Sequence, residues 1–285
     1  MMNPNDKHMK QRNIPVVDLS TFVKGDEKSR SLFVNELGKA FHEIGFVGVV
    51  NHGIPKQLVE RFYDLSNAFF QLSKVTKSQY EIKGKAGQVG YTSFGKEHAK
   101  QSDVGDLKEF FQLGQEVPDD HVNRAHYSKN VVVAEIPEFY KVGMDLYREF
   151  EQAGGNLLKA IALHLNLGEH YFDNKIKHGT SILRSIFYPP IKTEPASAIR
   201  AEQHEDINLI TLLVGASAGG LQVLNKNNEW VAVMPEEDEI VINVGDMLQR
   251  MTNNYLKSTT HRVVNPPREL WHTPRLSIPF FLHPV

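Results

Sequence analysis

The chain has 285 residues, 41% of them hydrophobic, a formal net charge of −2 and no cysteine. That supplies core for one large domain or two modest ones, and the balanced charge offers neither a nucleic-acid footprint nor a basic membrane-binding face. Without cysteine there is no disulfide framework, thiolate metal site or cysteine nucleophile, so any metal falls to His, Asp or Glu, a donor set that favours iron, manganese or zinc.

The opening "MMNPNDKHMKQRN" is polar and lacks the apolar stretch of a secretory signal. No apolar run reaches the length of a membrane span, so a soluble, cytoplasmic protein is expected. "IPVVDLSTF" reads as a short strand. Phe33, Leu37, Phe41 and Ile44 recur at helical spacing, with Gly45 as a stop. "FVGVVNHG" reads as a strand, and Pro55 opens a helix striped by Leu58, Phe62, Leu65, Phe69 and Leu72. Residues 84–106 read as a long loop and "LKEFFQLG" as a strand. A helix is expected over roughly 137–165, its Gly154-Gly155 pair marking a weakness or a close-packing point. From about residue 180 the texture changes to short β-rich runs: "TSILRSIFY", "INLITLLV", "GLQVL", "EWVAV", "EIVINV", "STTHRVV" and "RLSIPFFL". The expected fold is mixed α and β: a jelly-roll core of antiparallel strands with helices packed outside it. One compact domain is expected over 1–285, with a helical segment at 126–177 and the jelly roll at 178–282.

Chemistry concentrates in that last third. His204 and Asp206 stand two apart in "AEQHEDINLITLLV". In extended backbone they project to one face and can grip one ion, although a plain turn before a strand gives the same letters. His261 in "STTHRVVNPP" is the candidate third ligand. Two histidines and one carboxylate on one side of an iron leave three positions open, the arrangement of non-haem Fe(II) oxygenases. Arg275 and Ser277 in "RLSIPFF" are again two apart, and a guanidinium fork beside a hydroxyl suits a carboxylate. The competing reading is an arginine at a strand mouth paired with a surface acid.

Taken in order, H-E-D, H-R-V and R-L-S resemble the isopenicillin N synthase-like branch of the 2-oxoglutarate/Fe(II)-dependent dioxygenases. "IPVVDLS" and "GFVGVVNHGIP" resemble that family's N-terminal region, here 13–125, and "FYPP", "GGLQVL", "INVGDMLQRMTNN" and "STTHRVVNPP" its catalytic core, a double-stranded β-helix. The resemblance implies Fe(II) on His204, Asp206 and His261, 2-oxoglutarate and O2 as cosubstrates, and ascorbate as an optional reductant. It implies Arg275 and Ser277 on the distal carboxylate of 2-oxoglutarate, with Tyr188 helping to hold it. Plant relatives often carry asparagine where Ile186 stands here. Relatives usually run on for some tens of residues past "FFLHPV", so the chain reads as a compact or a shortened member.

The implied reaction is hydroxylation or desaturation of a small molecule, coupled to decarboxylation of 2-oxoglutarate to succinate and CO2. The rivals are a related Fe(II) oxidase that uses no 2-oxoglutarate (isopenicillin N synthase-like or ethylene-forming) and a non-catalytic jelly-roll metal-binding protein. No nucleic-acid or membrane partner is expected, and the chain reads as a monomer or weak homo-oligomer. Tyr91, Phe94, Phe111, Ile186 and Leu282 are candidates for a substrate pocket, against the competing reading of aromatics and leucine as core. His52, Asp246, Asn253 and Asn254 read as turn residues, His42, His164 and His170 as structural or exposed, and Arg262 as facing outward into a salt bridge.

Overall fold

The computed structural model describes residues 13–82, 84, 88–97, 105–122, 124–195, 197–214 and 217–285. Part of the loop expected over 84–106 therefore lies outside the described residues, and within it a short strand, β3 (Gly90–Thr92), forms.

The helices begin and end where their sequence dictates. Strand β1 (Val16–Asp18) runs straight into helix α1 (Leu19–Val23), because the Asp18 carboxylate caps it at Ser20 N, so "IPVVDLSTF" is only half strand. Asp26 caps α2 (Glu27–Glu43) at Ser29 N. The chain leaves α2 through Gly45, whose φ of 77° is cheap only for glycine. After β2 (Phe46–Val50), Pro55 precedes α3 (Lys56–Gln71), which buries Val59, Phe62, Leu65 and Phe69, and a short α4 (Lys74–Ser78) follows. Beyond β4 (Glu109–Gly114), α5 (Glu138–His164) packs against α2, α3 and the sheet. Its Gly154 is a close-packing point: a Cβ there would lie 2.9 Å from Leu282 Cδ2. A single turn, α6 (Asp173–Ile176), leads to the β-rich half.

There β5 (Ile182–Tyr188), β6 (Ala201–His204), β7 (Ile210–Val214), β8 (Leu221–Leu224), β9 (Trp230–Ala232), β10 (Ile240–Val244), α7 (Asp246–Met251), β11 (His261–Val263) and β12 (Arg275–Leu282) follow. They form an eight-stranded sheet ordered β1-β2-β10-β7-β12-β5-β4-β3 and a four-stranded sheet ordered β6-β11-β8-β9. All ladders are antiparallel except β1–β2, where two helices make the crossover that a parallel pair requires.

Register settles which side chains share a face, since alternate residues of a strand point oppositely. Leu276, Ile278, Phe280 and Leu282 of β12 join the main core under the helices, with Phe280 stacked on Phe150. Three pocket candidates belong to that core and not to a pocket. Tyr91 and Phe111 pair across β3–β4 and pack edge-on to Phe69, and Leu282 meets α5. The Tyr91 hydroxyl donates to Glu109, which also binds Lys77 at 2.8 Å inside the fold. Phe94 is 49% exposed beyond β3, so it contributes no enclosed wall. Ile186 faces the other way, clustered with Phe110, Tyr188, Ala201 and Val263 between the two sheets.

Candidate functional site

His204, Asp206 and His261 converge: one ligand atom from each lies within 4.8 Å of the others. His204 and His261 are cross-strand partners on β6 and β11, with ring centres 4.4 Å apart. Asp206 is not on the strand with His204. It sits in the bend beyond β6, where its carbonyl accepts from Asp246 N at 2.7 Å. Period-two alternation therefore does not explain the pairing; the bend carries the carboxylate back across the two rings.

Each donor is oriented by a neighbour. His204 Nδ1 faces Glu202 O at 2.7 Å and His261 Nδ1 faces Thr259 O at 3.1 Å. A carbonyl can only accept, so both Nδ1 atoms carry the proton and each Nε2 keeps its lone pair for a ligand. Those Nε2 atoms lie 3.7 and 3.8 Å from Asp206 Oδ1. The second oxygen, Oδ2, is occupied: Thr211 Oγ1 donates to it at 2.6 Å and Asn243 Nδ2 at 2.8 Å. Asn208 Nδ2 donates to Thr211 Oγ1, so the threonine proton is free to serve Asp206. Thr211, Asn243 and Asn208 support the candidate ligand Asp206 through these bonds, and the sequence reading passed over them. Burial pulls the Asp206 carboxyl upward, but the two imidazoles and these hydrogen bonds outweigh it and hold the group below its usual range. Burial pushes His261 below its usual value, against the pull of Asp206. Both shifts favour the metal-ready forms. Phe46 of β2 packs edge-on to His261, while the His204 side chain stays 38% exposed, which leaves one side open.

Two imidazole nitrogens and one carboxylate oxygen, all on one side, fit a divalent iron with free positions. Each ring is fixed through its other nitrogen, as metal-binding histidines usually are.

Further along the inner face of β12, Arg275 and Ser277 are each 2% exposed. Arg275 Nε donates to Ala218 O at 3.0 Å, Nη1 donates to Ser277 Oγ at 3.1 Å, and its Cζ lies 4.8 Å from the Tyr188 ring centre. Among the described residues no carboxylate pairs with it. A buried guanidinium without an acid, beside a hydroxyl and a phenol, fits an anionic ligand and not the surface ion pair of the competing reading. Arg275 lines a cavity of about 710 Å³ together with His52, Tyr63, Leu213, Glu239 and Val241, and no triad residue lines it.

Other inner-face residues also escaped the sequence reading. Phe281 pairs with Thr211, and Arg184 lies 4.1 Å from the Phe110 ring centre and 5.2 Å from that of Phe281. Counting by twos from Arg275 reaches Phe281, and from Tyr188 reaches Arg184, so strand parity held that signal. The residues set aside fall as expected in most cases. His52 Nδ1 accepts from Ile54 N in a turn, and Asn253 and Asn254 adopt positive φ. His42 and His164 stack on Tyr255, and His170 is exposed. Asp246 begins α7 and pairs with Arg250. Arg262 makes no ion pair among the described residues; it stacks on Trp230 and bonds Gln222.

This fold, with two histidines and a carboxylate on one side and a buried arginine further along the same face, points to a class of iron-dependent oxygenases. Residues 14–135 match the model of the non-haem dioxygenase N-terminal region named for morphine synthesis, and residues 179–284 match the 2OG-Fe(II) oxygenase superfamily. A 2-oxoglutarate-Fe(II) type oxidoreductase, ppzC of Metarhizium rileyi, is 30% identical over 94% of this chain and 76% of its own length. A 2OG-Fe(II) oxygenase family protein from Caulobacter crescentus is 42% identical, with a TM-score of 0.86 over 96% of this chain and 87% of that one. A Neurospora crassa protein, solved at full length with α-ketoglutarate and thymine, is 30% identical, with a TM-score of 0.84 over 97% and 87%. The chain belongs to the 2OG-Fe(II) oxygenase superfamily. It is a dioxygenase that works with Fe(II) and 2-oxoglutarate. No described helix is long and apolar enough to cross a membrane.

Proposed function

We propose that His204, Asp206 and His261 hold the iron, and that Arg275, Ser277 and Tyr188 hold 2-oxoglutarate by its distal carboxylate. The substrate is then a small molecule received at the open side of the triad. The observation that carries this assignment is Arg275: a buried cation with no acid partner among the described residues, and with the Ser277 hydroxyl beside it on the same strand face.

When bound, the pair supplies oxidative chemistry, in which O2 is consumed and 2-oxoglutarate becomes succinate and CO2. The protein's part is positioning. Glu202 O and Thr259 O fix the rings, and Thr211 and Asn243 occupy Asp206 Oδ2 so that Oδ1 faces the shared point. Arg275 and Ser277 set how far the cosubstrate reaches along the barrel, which presents its keto-acid end to the triad. On the substrate side, Phe281 stands next to Thr211, and Arg184 sits against Phe110 and Phe281 while donating to Gln112 and Glu97. A flat, polar ring suits such an aromatic and guanidinium wall. The thymine and 5-formyluracil complexes of the Neurospora crassa protein support that substrate class.

The test is substrate-stimulated succinate release by the iron-loaded protein, screened over small metabolites that include thymine and 5-formyluracil. Succinate rising with one of them supports the proposal. Oxygen consumption that ignores 2-oxoglutarate would instead identify an oxidase, and metal binding without turnover a binding protein.

A further inference from the structure

We infer that Arg200 is a second cationic group of the cosubstrate chamber, acting through space on the carboxylate that Arg275 and Ser277 hold by hydrogen bonds. The inference rests on the proposed role of Arg275.

Arg200 immediately precedes β6 and is 1% exposed. Its Nη2 donates to Thr273 O at 2.9 Å, while its Nε has no hydrogen-bond partner. Among the described residues no acid pairs with it, and the nearby acids are engaged elsewhere. Asp106 binds Lys108 at 2.8 Å and accepts from Glu202 N, and Glu97 binds Lys108 and Arg184. A guanidinium this deep normally has a carboxylate, because an isolated buried charge is costly.

The cost is compounded by a like charge. The Cζ atoms of Arg200 and Arg275 lie 5.9 and 4.8 Å from the centre of the same Tyr188 ring, which puts them at most about 11 Å apart. Burial and the charge of Arg275 pull Arg200 down to about 10, still protonated at neutral pH. Two buried guanidinium groups thus stand beside one tyrosine with no acid paired to either among the described residues. A purely structural link to Thr273 O needs one donor and no charge. A carboxylate on Arg275 compensates both cations, and a one-guanidinium site would bind it less tightly.

The experiment is an anaerobic titration of the Fe(II)-loaded protein with 2-oxoglutarate and with 2-oxopentanoate, followed by the metal-to-oxoacid charge-transfer absorption. The two acids share the chelating end, and only the first carries a distal carboxylate. Arg200→Gln is expected to weaken 2-oxoglutarate about tenfold and to leave 2-oxopentanoate within about twofold. Arg200→Lys is expected to restore most of the loss. Equal weakening of both acids, or none for 2-oxoglutarate, overturns the inference. Arg275→Gln, run in parallel, separates the two ideas: if it leaves 2-oxoglutarate binding intact, the reading of Arg275 fails whatever Arg200 does. Arg200→Met guards against misfolding. It removes the charge and keeps an apolar stem, so its melting midpoint without cosubstrate should equal or exceed that of the unaltered protein. A midpoint well below it marks Arg200 as a structural residue and also overturns the inference.

Discussion

The two ends of the barrel's inner face treat polar groups in opposite ways. At the triad every donor atom is steered by a protein partner: Nδ1 of both histidines by carbonyls, Oδ2 of Asp206 by Thr211 and Asn243. At the other end Arg275 and Arg200 have carbonyl and hydroxyl neighbours but no acid among the described residues. The first arrangement builds a rigid donor set whose geometry precedes any metal. The second stores positive charge whose cost an anion must offset. One end is specified by direction and the other by charge, and substitutions should respond accordingly.

The largest effect is expected at the triad. Asp206→Ala should remove iron binding and bring 2-oxoglutarate-dependent succinate release to background, measured by metal content and by product. Undiminished turnover in iron-loaded protein would sink the ligand assignment. Next comes Arg275→Gln, which loses the charged partner of a buried carboxylate. A cost of about 2–5 kcal/mol translates into a KM for 2-oxoglutarate raised at least roughly thirtyfold. Iron affinity should hold, and a parallel loss of iron would erase the distinction between the two ends. Asn243→Ala should weaken iron by roughly 10- to 100-fold, since Asp206 Oδ2 then turns freely. An iron titration that matches the unaltered protein would remove Asn243 from the positioning set.

The smallest effect is a pH limb at the mouth. Burial pulls the Glu97 carboxyl up, but Arg184 and Lys108 outweigh it and hold it at about 2, against an ordinary 4.5. A depressed folded-state value means the unfolded chain binds the proton first. The stabilisation is therefore complete above pH 4.5 and is lost as the pH falls toward 2. Glu97→Gln should flatten that limb in acid unfolding followed by circular dichroism, and a limb that persists unchanged would assign it to other carboxylates.

Much of this was legible in the sequence, for physical reasons that differ by residue. His204, Asp206 and His261 stood out because H-E-D, H-R-V and R-L-S in that order resemble a known family, while the H-x-D pair alone reads equally as a turn; Arg275 with Ser277 stood out because an arginine entering an apolar strand demands a partner. The rationale for the first pair was incomplete. Asp206 reaches its partners from a bend fixed by Asp246 N, Thr211 and Asn243, contacts that no local pattern encodes. Tyr91, Phe111 and Leu282 were misread because hydrophobicity does not say which sheet face the helices cover. Parity did carry that information for Leu282, which stands an odd number of positions from Arg275 and Ser277. Arg200 was hidden because it stands beside Glu202 and Glu205 and looks like solvated surface until the fold buries it, whereas Arg184 lies in the apolar run "SILRSIFY", where its parity with Tyr188 was there to be read.

Phe46 on His261 has a consequence in time. The strand that carries it, β2, forms its ladder with β10, whose residues leave the ribosome roughly two hundred positions later. Until then, the edge of β2 that will meet β10 and the β-branched run "FVGVV" have no mate, while α2 and α3 are already able to form. The growing chain carries an unpaired strand edge until β10 is made, the kind of edge that invites pairing with another chain.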